Sequence, residues 1–186
     1  MQLLVKIIGT CWLLSEVYLS IFKRSKKKNS KIRIKHSLAI LWIVMATSFA
    51  AGRLITIYFE YPIANSSILT VIGLLILVSG VIIRYSSIWT LGQFFTHNLV
   101  IHDDHTLVRK GFYKYIRHPS YTGALMAFLG LGISWNNWLG AGIMFIPILI
   151  VFLYRIKIEE NMLSEQFGSE YLEYKKRTKR LIPEIY

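Results

Sequence analysis

Residues 117–154 read RHPSYTGALMAFLGLGISWNNWLGAGIMFIPILIVFLY. A cationic pair and a proline open the stretch, and two apolar runs follow with only Trp135, Asn136 and Asn137 between them. Pro119 suits the first turn of a helix, where a missing N–H costs nothing. The short break predicts a tight helical hairpin with a tryptophan at headgroup level, where aromatic side chains collect. Crossing the hydrocarbon as a helix takes roughly 17–25 apolar residues, so Trp138–Tyr154 fits a span. Pro119–Ser134 is shorter, about 24 Å if wholly helical, and spans only where the protein thins or shields the bilayer.

The rest of the 186-residue chain follows the same plan. It is 54% hydrophobic yet carries a formal charge of +12, which requires that apolar and charged residues be segregated. Three further apolar runs stand before residue 90: Leu3–Phe22, interrupted by Lys6 and Glu16; Ser37–Phe59, with Arg53; and Ile68–Ile83, free of charge. The first lacks the basic start and small-residue end of a cleavable signal and is kept as structure. These runs predict an all-α integral membrane protein of about five transmembrane helices. It is read as a single membrane domain over 1–186, with three amino-terminal helices in 1–90 and a catalytic region in 91–186. Cys11, the one cysteine, allows no intrachain disulfide and reads as a small buried hydrophobe.

Orientation follows from the loops. The stretch 23–35 holds eight of the 22 Lys and Arg; 84–118 holds five, and the tail from Arg155 holds seven. The loops 60–67 and 135–137 hold none. That alternation predicts an outside amino terminus, with the carboxyl terminus and the site in the cytoplasm. It also explains the charge by orientation and by anionic lipid headgroups, not nucleic acid.

Two polar regions on that side have enough side chains to build a site: 89–119 and the helical tail. His97, His102 and His105, with Asp103 and Asp104, lack a regular helical ligand pair and a cysteine partner, so no metal site is read there. The Gly130–Gly132 pair reads as close helix packing, not as a dinucleotide turn, which needs a preceding strand. In LVRKGFYKYIRHPSYTGAL, Gly111 permits a turn, and Arg117, His118 and the free N–H groups of a helix start form a natural anion site. On physical grounds alone the same residues read more simply as interfacial anchors, which need no chemistry, with Lys114 and Arg117 basic, Tyr113, Tyr115 and Tyr121 aromatic, and His118 as a cap. If the fifth helix continues past Tyr154, Arg155 and Glu159 lie one turn apart on one face and Glu160 is turned away. That pair either marks a polar cavity or is an exposed ion pair worth about 0.3–0.5 kcal/mol. Arg53 reads as a snorkelling side chain.

HTLVRKGFYKYIRHPSYTGAL, followed some thirty residues later by RIKIEENMLSEQFGSEYLEYKKRTKRLIP, resembles the isoprenylcysteine carboxyl methyltransferase family. The matching pattern is HxLVxxGxYxxxRHPxYxG and then RxxxEExxLxxxFGxxYxxYxxxxxRxxP, over roughly residues 97–183. The resemblance implies a membrane methyltransferase that uses S-adenosyl-L-methionine without a soluble nucleotide-binding domain. By matching positions, His105, Thr106, Leu107, Val108, Tyr113, His118, Pro119, Ser120 and Tyr121 would line the cofactor, with Glu159 from the last helix. Val100 stands where the family often has a polar residue, so a contact there would be apolar or through backbone. Arg155 would meet the substrate carboxylate. The implied reaction is methylation of a lipophilic carboxylate entering from the bilayer, most simply the α-carboxyl of an S-isoprenylated cysteine.

Two alternatives stay open on sequence. The same pocket can methylate another lipid group such as a phospholipid amine, although an amine must be neutral to attack and would want a base more than an arginine. A non-catalytic anchor or transport component is the other; transport predicts broken helices or polar groups at mid-membrane depth, and Pro147 is the only candidate kink.

Overall fold

The computed structural model describes residues 1–22, 36–64, 67–97 and 106–186. These form α1 (Gln2–Phe22), α2 (His36–Tyr58), α3 (Ile68–Leu91), α4 (Pro119–Ser134), α5 (Trp138–Phe167) and α6 (Ser169–Arg177). Short 3-10 turns lie at Gly92–Phe94 and Gly111–Lys114. Among the described residues the one extended pairing outside helices is a parallel bridge between Ile116 and Lys179.

α1, α2, α3 and α5 are each long and apolar enough to cross a membrane. α4, at 16 residues, is the short member. It is enclosed by its neighbours, with Leu125, Ala127, Phe128 and Leu131 all in the core, so the bundle shields it as its length requires. Lipid-facing and core-facing residues are alike apolar in such a bundle, and α1 shows the consequence. Leu4, Ile7, Leu14 and Tyr18 form an exposed stripe at helical spacing. Cys11 belongs to that stripe and is exposed, which corrects its reading as a buried residue: an apolar run does not say which of its faces meets lipid.

Helix pairing rests on backbone contact. Gly73 and Gly80 of α3 face Gly123 and Gly130 of α4, seven residues apart on each helix. A Cβ added at Gly73 would lie 2.6 Å from the Gly130 carbonyl, and one at Gly80 would lie 2.6 Å from the Gly123 carbonyl. α2 meets α5 in the same way, with a Cβ at Gly140 only 2.7 Å from the Gly52 carbonyl. Small residues let helices approach where dispersion must replace the missing hydrophobic drive.

The hairpin turn is built by its asparagines. Asn136 takes φ 50°, a left-handed conformation that asparagine tolerates, and its amide nitrogen donates to the Ala64 carbonyl at 2.9 Å. The Asn137 side chain caps α5 by accepting from the Gly140 N–H at 2.8 Å. From that cap α5 runs 30 residues, about 45 Å, past the apolar run that ends at Tyr154. Roughly 20 residues use up the hydrocarbon thickness, so the stretch from Arg155 to Glu160 sits at its edge. α6 and the tail then fold back over that end of the bundle.

Candidate active site

The RHP segment is held by the tail. Gly111 turns the chain at φ 56°. Beyond it the Arg117 N–H donates to the Lys179 carbonyl at 2.8 Å, the His118 N–H to the Arg180 carbonyl at 3.0 Å, and the Lys179 N–H to the Tyr115 carbonyl at 3.2 Å. Pro119 occupies the first turn of α4 as expected. The His118 carbonyl accepts from the N–H groups of Tyr121 and Thr122, each at 3.0 Å, while its ring makes no cap hydrogen bond.

Glu160 organises the charges beneath this bridge. One carboxylate oxygen accepts from Arg117 Nε at 2.9 Å and the other from Arg180 Nε at 3.0 Å. His118 Nε2 lies 3.4 Å from the first oxygen, and Arg117 Nη1 also donates to the Thr178 carbonyl. Arg117 is therefore committed to a buried carboxylate, which overturns its place in an anion site at the start of α4. The turned-away Glu160, unassigned from sequence, ties α5 to α4 and the tail.

The other face of α5 carries Arg155 and Glu159, as their spacing predicts. Tyr121 joins them: its hydroxyl donates to Glu159 Oε2 at 2.7 Å and accepts from Arg155 Nε at 2.9 Å. Arg155 Nη2 donates to the His97 carbonyl. Arg155 Nη1 is buried with no partner among the described residues, as is the Tyr171 hydroxyl.

These groups line one cavity of about 1260 Å³, its open mouth included. Leu107, Val108, Tyr113, His118, Ser120, Tyr121, Arg155 and Glu159 are all in its wall. Thr106 is exposed, and Pro119 is buried outside the lining. Val100 and His105 lie outside the described residues, as do His102, Asp103 and Asp104. α6 adds Tyr171 and Tyr174, and α1 and α2 add Trp12, Leu41, Trp42 and Met45. Burial pushes the Tyr113 phenol well above its ordinary value and Tyr174 up to about 12. Both stay neutral, and the Tyr174 hydroxyl donates to the Tyr113 carbonyl at 2.6 Å. Most of the apolar wall comes from α1, α2, α4 and α5, while the polar wall combines segments beyond the membrane edge with Glu16 of α1 and Arg84 of α3.

Among the lining residues that the sequence reading did not assign to the site are Glu16, Arg84 and His97. The only signals for the first two were a lone acid in one apolar run and a lone arginine at the end of another.

The sequence profile of the isoprenylcysteine carboxyl methyltransferase family matches residues 71–165, half of the chain. The chain belongs to this family. It is an integral-membrane, multi-pass methyltransferase. A probable protein-S-isoprenylcysteine O-methyltransferase of Oryza sativa subsp. indica is 32% identical over 145 residues, 76% of each chain. The Saccharomyces cerevisiae protein-S-isoprenylcysteine O-methyltransferase is 34% identical over 81% of this chain and 62% of its own length. The Homo sapiens protein is 37% identical over 63% of this chain but only 42% of its own length. The solved structure of the eukaryotic intramembrane Ras methyltransferase of this family superposes with a TM-score of 0.66 at 32% identity, over 82% of this chain and 55% of that one.

Proposed function

We propose that the cavity transfers a methyl group from S-adenosyl-L-methionine to the carboxylate of an S-isoprenylated cysteine or a like lipophilic acid. The observation that carries this reading is Arg155: a guanidinium fixed by Tyr121 and the His97 carbonyl, with Nη1 unpartnered among the described residues in the wall of a largely apolar cavity. A buried, unsatisfied cationic donor is costly, and a substrate carboxylate satisfies it by charge-assisted hydrogen bonds.

The residues present fit the methyl donor. Glu159 and the neutral tyrosines offer a carboxylate and π-faces to a sulfonium and an ammonium, and the Tyr171 hydroxyl, without a partner among the described residues, can donate. We assign Leu107, Val108, Tyr113, His118, Ser120, Tyr121 and Glu159 to donor binding, and the family resemblance extends that assignment to Thr106, Pro119, Val100 and His105. When bound, S-adenosylmethionine supplies a methyl group already activated on sulfur, so transfer to a carboxylate oxygen needs no general base. The chain's own tasks are to orient the acid through Arg155 and to exclude water. An amine acceptor would need a base in place of the clamp, so Arg155 favours the acid.

The chain acts as one membrane domain, because residues on both sides of position 90 line the cavity. The distribution of Lys and Arg supports a cytoplasmic carboxyl terminus and site, with anionic headgroups alongside. The lipid chain then enters sideways between α1 and α2, and the donor enters from water.

Calorimetric titration of the purified protein with S-adenosylmethionine tests the donor assignment. One saturable site is expected, and Tyr113→Ala and His118→Ala should each weaken it at least tenfold. Folded wild-type protein that shows no saturable heat would overturn the assignment.

A further inference from the structure

Glu16 and Arg84 form an ion pair inside the bundle, with side chains 5% and 6% exposed. Arg84 Nε donates to Glu16 Oε1 at 2.9 Å, and Nη2 to Oε2 at 2.8 Å. Its third nitrogen, Nη1, donates to Ser120 Oγ at 2.6 Å and to the Ser120 carbonyl at 3.2 Å. Such a pair is not needed for stability, since apolar residues of like volume usually do as well or better. In a membrane-spanning segment it marks function by default.

The two ends of the pair lead to the same place. Through Arg84 it grips Ser120, the residue before Tyr121, whose hydroxyl accepts from Arg155 Nε at 2.9 Å. Through Glu16 it lies 3.9 Å from His97 Nε2, and the His97 carbonyl accepts from Arg155 Nη2. Of the two hydrogen bonds that fix the Arg155 guanidinium, one thus runs to the residue that follows Ser120, which Arg84 holds, and the other to His97, whose ring lies beside Glu16. All six of these residues line the cavity. Glu16 stands outside the stretch that matches the family profile, residues 71–165.

We propose that Glu16 and Arg84 are positioning residues that orient the Arg155 guanidinium toward the acceptor carboxylate. This rests on the clamp role given to Arg155 above. α1 is then part of the acceptor site, and not only of the membrane anchor. A positioning role predicts loss of carboxylate recognition without loss of donor binding, which general loosening of the bundle would not give.

The test compares N-acetyl-S-farnesylcysteine with its methyl ester as ligands of the full chain in lipid nanodiscs. Wild type should bind the acid at least tenfold more tightly than the ester; equal binding would sink the clamp itself before any variant is made. Glu16→Gln keeps size and an acceptor but weakens the hold on Arg84. It should bring the acid-to-ester ratio at least fivefold closer to one, with donor affinity within threefold of wild type. A ratio within twofold of wild type would overturn the proposal, and so would an equal loss of donor affinity. If Glu16→Gln does not fold, the apolar replacement Glu16→Met with Arg84→Met is read by the same ratio, with the same two outcomes. Failure of both variants to fold would assign the pair to stability and overturn the positioning role.

Discussion

Arg155→Ala should lower kcat/KM for methyl transfer at least a hundredfold while leaving the melting temperature nearly unchanged. Each charge-assisted hydrogen bond to a carboxylate is worth about 1.5–3 kcal/mol, and a tenfold change in rate corresponds to about 1.36 kcal/mol, so losing a two-point grip accounts for two decades. Stability is spared because no buried charge is orphaned. Glu159 is half-exposed and keeps its hydrogen bond from Tyr121. Arg155→Lys retains the charge but not the planar fork and should recover only part of the loss. Turnover of Arg155→Ala within threefold of wild type would remove the clamp.

Glu160→Ala should fail differently, through folding. Its carboxylate is the shared partner of Arg117 and Arg180 and lies beside His118. Arg180 is 36% exposed and can turn to water, but the Arg117 side chain is 8% exposed and would be left buried without its counter-charge. Removing one partner of a buried pair costs about 3–5 kcal/mol. In a chain of this length that is a fall in melting temperature on the order of 10 °C. The bridge between 115–118 and 179–180 would loosen with it, so donor affinity should fall in parallel. Thermal unfolding in detergent, read beside donor titration, checks both; an unchanged melting temperature would contradict the structural role of Glu160. Arg155 and Glu160 are five residues apart on one helix, and the two variants separate chemistry from architecture.

Much of this was written in local pattern. The apolar runs located α1 to α5, the WNN break located the hairpin, and the Arg155–Glu159 spacing placed both on one face of the cavity. What stayed hidden depended on contacts between distant residues. Glu16 and Arg84 are 68 positions apart, and nothing near either one names its partner. The reach of α5 to Phe167 was obscured because hydropathy drops at Arg155. A helix closes its own backbone hydrogen bonds and does not end where the membrane does, and the Lys, Glu, Met and Leu that follow are good helix formers. Arg117 looked like part of an anion site because its sequence neighbours are a helix start; its true partner, Glu160, lies 43 residues on. Cys11 was misread because an apolar sequence does not distinguish lipid from protein interior.

The most direct measurement is radiolabelled methyl transfer from S-adenosylmethionine to N-acetyl-S-farnesylcysteine by the purified full chain in lipid. The predicted result is time-dependent label in the lipophilic product, released by base as methanol because the new bond is an ester, and lost in both His118→Ala and Arg155→Ala. Folded, donor-binding protein that puts no label on the acid, or puts base-stable label on an amine lipid instead, would contradict the assignment of a carboxylate acceptor.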